Sequence, residues 1–115
     1  MTAGVIDPDA FNELQEAAGD DFVAELIDTF LDEAPGMFAA LRGSLASGDA
    51  DGFRRAAHSL KSNSNTFGAF AMGALARDIE LGGLGTDPAR DVAAIDRLAG
   101  SYDDAATALR ALRDG

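Results

Sequence analysis

The chain reads as all-α: an antiparallel four-helix bundle with a short additional N-terminal helix. Strand signals are poor, since Val stands only at 5, 23 and 92 and Ile only at 6, 27, 79 and 95, and no run alternates with period two. Apolar residues instead recur at three- and four-residue spacing, which lines one face of a helix. Two Asp-Pro pairs, Asp7-Pro8 and Asp87-Pro88, each offer a capping carboxylate followed by a proline whose missing N–H costs nothing in a first helical turn.

The first pair should start a short helix from about Asp9 to Ala18. Asp20 then precedes a long segment in which Phe22, Leu26, Ile27, Phe30, Leu31, Phe38, Leu41 and Leu45 share a face. Pro35 is expected to kink or interrupt it. Ser47-Gly48-Asp49 separates this segment from the next, where Asp49 can cap and Gly68 can end a helix in the left-handed conformation. A following segment carries Met72, Leu75 and Ile79 on one side and dissolves into Gly82-Gly83-Leu84-Gly85. That glycine cluster lacks the Gly-Lys-Ser/Thr ending of a phosphate-cradling loop and reads as a connection. The last segment sets Ile95, Leu98, Tyr102, Ala105, Leu109 and Leu112 along one stripe. Short connections between amphipathic helices make neighbours antiparallel.

Composition narrows the function. A length of 115 residues suits one core, so residues 1–115 are expected to form a single domain, and 47% apolar with 25% charged residues is a globular balance. The formal net charge of −11 repels free nucleic acid and anionic lipid. Cys is absent and His occurs once, which removes disulfides, thiolate sites and multi-histidine metal centres. No run approaches the roughly 20 apolar residues of a membrane span, and no basic-then-apolar leader opens the chain, so a cytoplasmic monomer is expected.

The single histidine carries the functional reading. At about 100° per residue from His58, the residues Phe53, Ala56, Leu60 and Phe67 fall opposite the imidazole, so the ring should face solvent. Arg54, Arg55, Lys61, Ser62 and Asn65 fall within roughly 60° of it on the same wheel. Lys61 is the only lysine. From Gly52 through Arg77 there are four cations and no acid, which leaves −15 on the rest of the chain. A region so cleared of carboxylates around a nucleophilic ring suggests that something negative belongs beside His58.

A phosphoryl group carried on His58 fits that description. Neutral imidazole is an effective nitrogen nucleophile with an ordinary pKa of about 6.5, and phosphoryl transfer asks mainly for in-line access and nearby positive charge. Lys61, one turn away, can supply the charge, and Ser62 is small enough to leave the approach open and can donate to a phosphate oxygen. The plainer reading is a solvated surface histidine, with Arg54 and Arg55 balancing distant acids and Lys61 a generic helix former. Ser64, at the edge of the apolar stripe, reads as a hydroxyl bonding back to its own helix, and Asn63 and Asn65 as poor helix formers near a helix end. The coincidence of sole His, sole Lys and local loss of acids favours function.

Ala57-His58-Ser59-Leu60-Lys61-Ser62-Asn63-Ser64-Asn65-Thr66-Phe67-Gly68-Ala69 resembles the signature of histidine-containing phosphotransfer (HPt) domains, His-x-Leu-Lys-Gly/Ser-x-Ser followed four residues later by Gly-Ala. The match continues through Leu75 and the Ile79-Glu80 pair. The resemblance implies that His58 accepts phosphoryl from, and returns it to, aspartates of response-regulator receiver domains. It further implies that Lys61 stands beside the phosphate, that a (hybrid) histidine kinase lies upstream, and that Mg²⁺ and the acidic pocket belong to the receiver. The chain itself would need no cofactor and would be a carrier rather than a kinase. Ser62 replaces the glycine of many members, and Asn63 stands where Ser or Ala is common. Two other readings compete: an interaction module that docks a receiver or kinase as a decoy without carrying phosphate, and a metal-dependent hydrolase, which the lack of a second His and of Glu-x-x-His pairs disfavours.

Overall fold

A computed structural model describes residues 5–85 and 87–115. It contains α1 (Pro8–Ala18), α2 (Asp20–Ser47), α3 (Ala50–Thr66), α4 (Phe70–Gly82) and α5 (Pro88–Asp114), with no strand among the described residues. The caps fall where the side chains dictate. Asp7 accepts from the Ala10 N–H at 2.9 Å, Asp49 from the Gly52 N–H at 3.0 Å, and Asp87 from the Ala89 N–H at 3.1 Å. The start of α2 differs from expectation, because Asp20 is its first helical residue and Gly19 precedes it without a side-chain cap.

Successive helices run antiparallel, and particular pairs set the register. Asp28 meets Arg113 at 2.6 Å and Arg42 meets Asp96 at 2.9 Å, so α2 and α5 descend past each other. Lys61 and Glu80 fix α3 against α4 in the same sense. α2 packs on α3, α3 on α4, α4 on α5 and α5 on α2, which closes a four-helix ring, and α1 lies on α2 outside it. The longest extent, 43 Å, is about the rise of a 28-residue helix.

Ile27, Phe30, Ala34, Leu41, Phe53, Leu60, Met72, Ile95, Leu98 and Leu109 fill the axis. Phe30 meets Phe67 at 5.5 Å between ring centroids and Tyr102 edge-on at 5.7 Å. Each such ring removed from water contributes about 1.5–3 kcal/mol. Three expectations need correction. α2 continues unbroken across Pro35, where an interruption was one expected outcome. The ring removes the hydrogen bond to the residue-31 carbonyl, but Phe30, Ala34 and Leu41 are buried on both sides of it and hold the helix by packing. Phe22 and Leu112, placed on apolar stripes by periodicity, are exposed: Phe22 turns about 100° away from the buried Val23 on the helical wheel, and Leu112 stands in the last turn of its helix.

The turn from α3 to α4 positions the site. Gly68 adopts φ +81°, a left-handed conformation, and its carbonyl accepts the Asp7 N–H at 2.9 Å. The Ser64 carbonyl accepts the Ala69 N–H at 2.9 Å, so α4 returns directly alongside α3.

Candidate functional site

His58 lies near the middle of α3, with Phe53 and Leu60 buried on the opposite face. Its side chain is 56% exposed, as the helical wheel predicts. An open groove of about 350 Å³ lies over it, lined by Arg54, Arg55, His58, Ser59 and Glu80. The ring is not surrounded by cations alone. Glu80, projecting from α4, approaches His58 Nδ1 to 2.7 Å with one carboxylate oxygen and Lys61 Nζ to 2.6 Å with the other.

This is the main correction to the sequence reading. The negative group beside His58 is in the first instance the protein's own carboxylate. The acid-free stretch ends at Arg77, three residues before Glu80, and linear distance hides a group that the antiparallel register brings back across 22 positions. Glu80 was legible only as the last residue of the family-like segment, with no role attached. Asp51 was passed over too: it stands two turns before His58 on the same face and pairs with Arg54 at 2.8 Å.

The arrangement has chemical consequences. A carboxylate can only accept, so the hydrogen bond to Glu80 assigns the proton to Nδ1 and leaves the lone pair on Nε2. Glu80 is itself held: its side chain is 18% exposed, and the Lys61 hydrogen bond, assisted by His58, lowers its pKa below the ordinary carboxylate value against the opposing effect of desolvation. Glu80 therefore stays ionised near neutrality. Lys61 is 25% exposed and engaged with Glu80 rather than projecting alone beside the ring.

The remaining residues singled out by sequence divide. Ser62 is exposed next to Lys61 on the outer face, and Arg55 is exposed beside His58 in the groove. Arg54 lines the groove while paired to Asp51. Asn65 is exposed, but its side-chain oxygen lies over Gly73 of α4, in space that any Cβ at 73 would occupy. Asn65, read from the sequence as a polar residue of the His58 face that could meet a partner or act electrostatically, is therefore also an α3–α4 contact. Ser64 is fully buried and its hydroxyl donates to the Leu60 carbonyl at 2.5 Å, which agrees with the structural reading, and Asn63 donates to the Ser59 carbonyl at 2.8 Å. No group of three or more potential metal ligands occurs among the described residues. A larger groove of about 730 Å³ between α2 and α3, floored by Gly36, Ala40 and Gly43, holds no comparable cluster of reactive groups.

Known proteins resemble this chain in sequence and in fold. Residues 25–113 match the family model described as the Hpt domain. The fold is similar to the crystal structure of histidine-containing phosphotransfer protein B (HptB) from Pseudomonas aeruginosa PAO1. The TM-score is 0.83 and the identity 24%, covering 97% of this chain and 96% of that one. No curated protein matches this sequence. No helix among the described residues is long and apolar enough to cross a membrane.

Proposed function

The chain belongs to the Hpt domain family, and from that premise we propose that it is a phosphorelay carrier that takes a phosphoryl group onto His58 Nε2 from receiver-domain aspartyl phosphates and returns it to receiver aspartates. The observation that carries the proposal is an exposed imidazole that lines an open groove and whose Nδ1 is bonded to a carboxylate, which leaves the lone pair on Nε2.

In the forward step the Nε2 lone pair attacks phosphorus, the P–N bond forms, and the P–O bond to the aspartyl carboxylate breaks, with that carboxylate leaving as the anion. The ring becomes cationic as the bond forms. Glu80, already 2.7 Å from Nδ1, offsets that charge without rearrangement, so its contribution is larger in the transition state than in the ground state. In the reverse step the same charge makes the ring a better leaving group. Lys61 Nζ can turn from Glu80 toward the arriving phosphoryl oxygens, and Ser62 and Arg55 border the approach.

An upstream kinase, hybrid or otherwise, follows from the same reading, since the chain accepts phosphate but does not draw it from ATP. The test is incubation with labelled, phosphorylated receiver domains. Acid-labile label should appear on the wild-type chain and be absent from His58→Gln, whose fold should persist because the ring is exposed and the substitution leaves the core unchanged. Receiver binding that is equal in both proteins, with no label on either, would instead identify a decoy that docks without carrying phosphate.

A further inference from the structure

An apolar groove lies on the side of the bundle turned away from His58. α3 and α5 each pack on α2 and α4, so they stand diagonally across the ring. Near the end of α5, Ala108, Ala111 and Leu112 meet Ile6, Pro8 and Phe11 around a hollow of about 290 Å³. Ile6, Phe11 and Ala108 are buried and form its floor, whereas Pro8, Ala111 and Leu112 are exposed at its lip, Leu112 at 42%. Asn12 is the one polar residue of the lining. A smaller hollow of about 230 Å³ shares Phe11 and Leu112 and continues to Gln15, Asp20 and Val23, so the two form one track along the seam of α1 and α5.

We propose that this track docks a basic amphipathic helix of a partner protein, on a surface separate from the one that phosphoryl transfer uses. Charge selects the occupant. Residues 1–41 carry ten Asp and Glu and no Lys, Arg or His, half of the chain's carboxylates in about a third of its length. Asp9 and Glu16 adjoin Pro8 and Asn12 on α1, Asp20 borders the smaller hollow, and Asp104 stands one turn before Ala108 on α5; all four are exposed. The nearby cations do not neutralise this rim. Arg113, which borders the smaller hollow, is held by Asp28 at 2.6 Å and Asp114 at 3.0 Å, and Arg110 lies about 160° round the wheel from Ala108. Aliphatic side chains at three- and four-residue spacing on a partner helix fill such a track, while Lys and Arg on its flanks meet the carboxylates. A second copy of this chain brings the same acidic rim, and an anionic membrane is repelled by it. Because the track faces away from His58, a partner seated there holds the carrier while leaving the imidazole open to a receiver.

The probe is a fluorescein-labelled helical peptide of Leu and Lys, about four turns long, with Leu along one face. A control peptide has the same composition with Leu and Lys scattered round the helix. Fluorescence anisotropy on the full chain should show the patterned peptide binding about tenfold more tightly than the scattered one. Leu112→Ser, which shortens the lip, and Ala111→Gln, which crowds it, should each weaken the patterned peptide about tenfold. Val92→Ser, exposed elsewhere on α5, and His58→Gln should bind it as wild type does. No binding to wild type, equal binding of the two peptides, or unchanged affinity in both groove variants would overturn the inference. So would slower phosphotransfer from a receiver to Leu112→Ser, which would make the groove part of the receiver's surface. Light scattering that showed a wild-type dimer dissociated by Leu112→Ser would make a second copy the occupant and overturn it as well. Failure of wild-type His58 to take up phosphate would overturn the carrier reading and leave this one standing.

Discussion

Glu80 holds His58 by Nδ1 and Lys61 by Nζ with the two oxygens of one carboxylate, at 2.7 and 2.6 Å. A single acid thus sets the tautomer of the ring and restrains the cation one turn away. Because Glu80 offsets the charge that the ring gains as the P–N bond forms, Glu80→Ala should slow transfer from a phosphorylated receiver by roughly ten- to a hundredfold. Glu80→Gln, whose carbonyl can still accept from Nδ1–H, should lose less. Single-turnover rates measure both, and equal rates for wild type and Glu80→Ala would remove Glu80 from the chemistry.

Lys61→Ala should slow transfer by about tenfold without abolishing it, because the ring and its carboxylate remain. The same substitution removes the largest cause of the low Glu80 pKa, so the Glu80 carboxyl should titrate closer to its ordinary value. Carbon-detected NMR of the Glu80 side chain reads the second effect independently of the first. A transfer rate equal to wild type would refute the electrostatic role of Lys61.

Acid should weaken this cluster in a defined direction. The folded-state pKa of Glu80 lies below its unfolded value, so its contribution to stability is complete above the ordinary carboxylate range near 4.5 and disappears as pH falls through the lowered value. The stability difference between wild type and Glu80→Gln should accordingly be larger at pH 7 than at pH 3. Urea titrations of the two proteins at both pH values provide the check, and a difference that grew toward acid would contradict the assignment.

Gly68 links the site to the N-terminus. An added Cβ at φ +81° would lie 3.1 Å from the Asp7 carbonyl and 3.0 Å from the Ala10 Cβ, in a conformation that itself costs an L-residue roughly 1–2 kcal/mol. Gly68→Ala should lower stability by about 2 kcal/mol. Gly73→Ala should be milder, because its nearest obstacle is the flexible end of Asn65 and alanine gains about 1 kcal/mol of helix propensity. Thermal unfolding of the two variants distinguishes them.

Much of the bundle was legible because its signals are local. Asp7, Asp49 and Asp87 each cap the helix they precede, and the wheel that buries Phe53 and Leu60 also turns His58 outward. The pairing of His58 with Glu80 was not legible in the same way. It depends on how far α4 slides along α3, which is set by the tight Gly68 turn and by Met72 and Ile79 packing into the core. Charge counted along the chain marked the region as basic, whereas charge counted in space includes Glu80 and Asp51. Pro35 illustrates the converse: of the kink or interruption that its chemistry signals, the interruption does not occur, because core packing on either side holds the helix together.

The most direct measurement is ¹⁵N and ³¹P NMR of the protein with its imidazole nitrogens labelled, before and after phosphorylation by a receiver. Before reaction, His58 should show a protonated Nδ1 and an unprotonated Nε2. Afterwards the phosphorus should couple to Nε2, with the Nδ1 proton still bonded to Glu80. Phosphorus on Nδ1, or on any residue other than His58, would contradict the account.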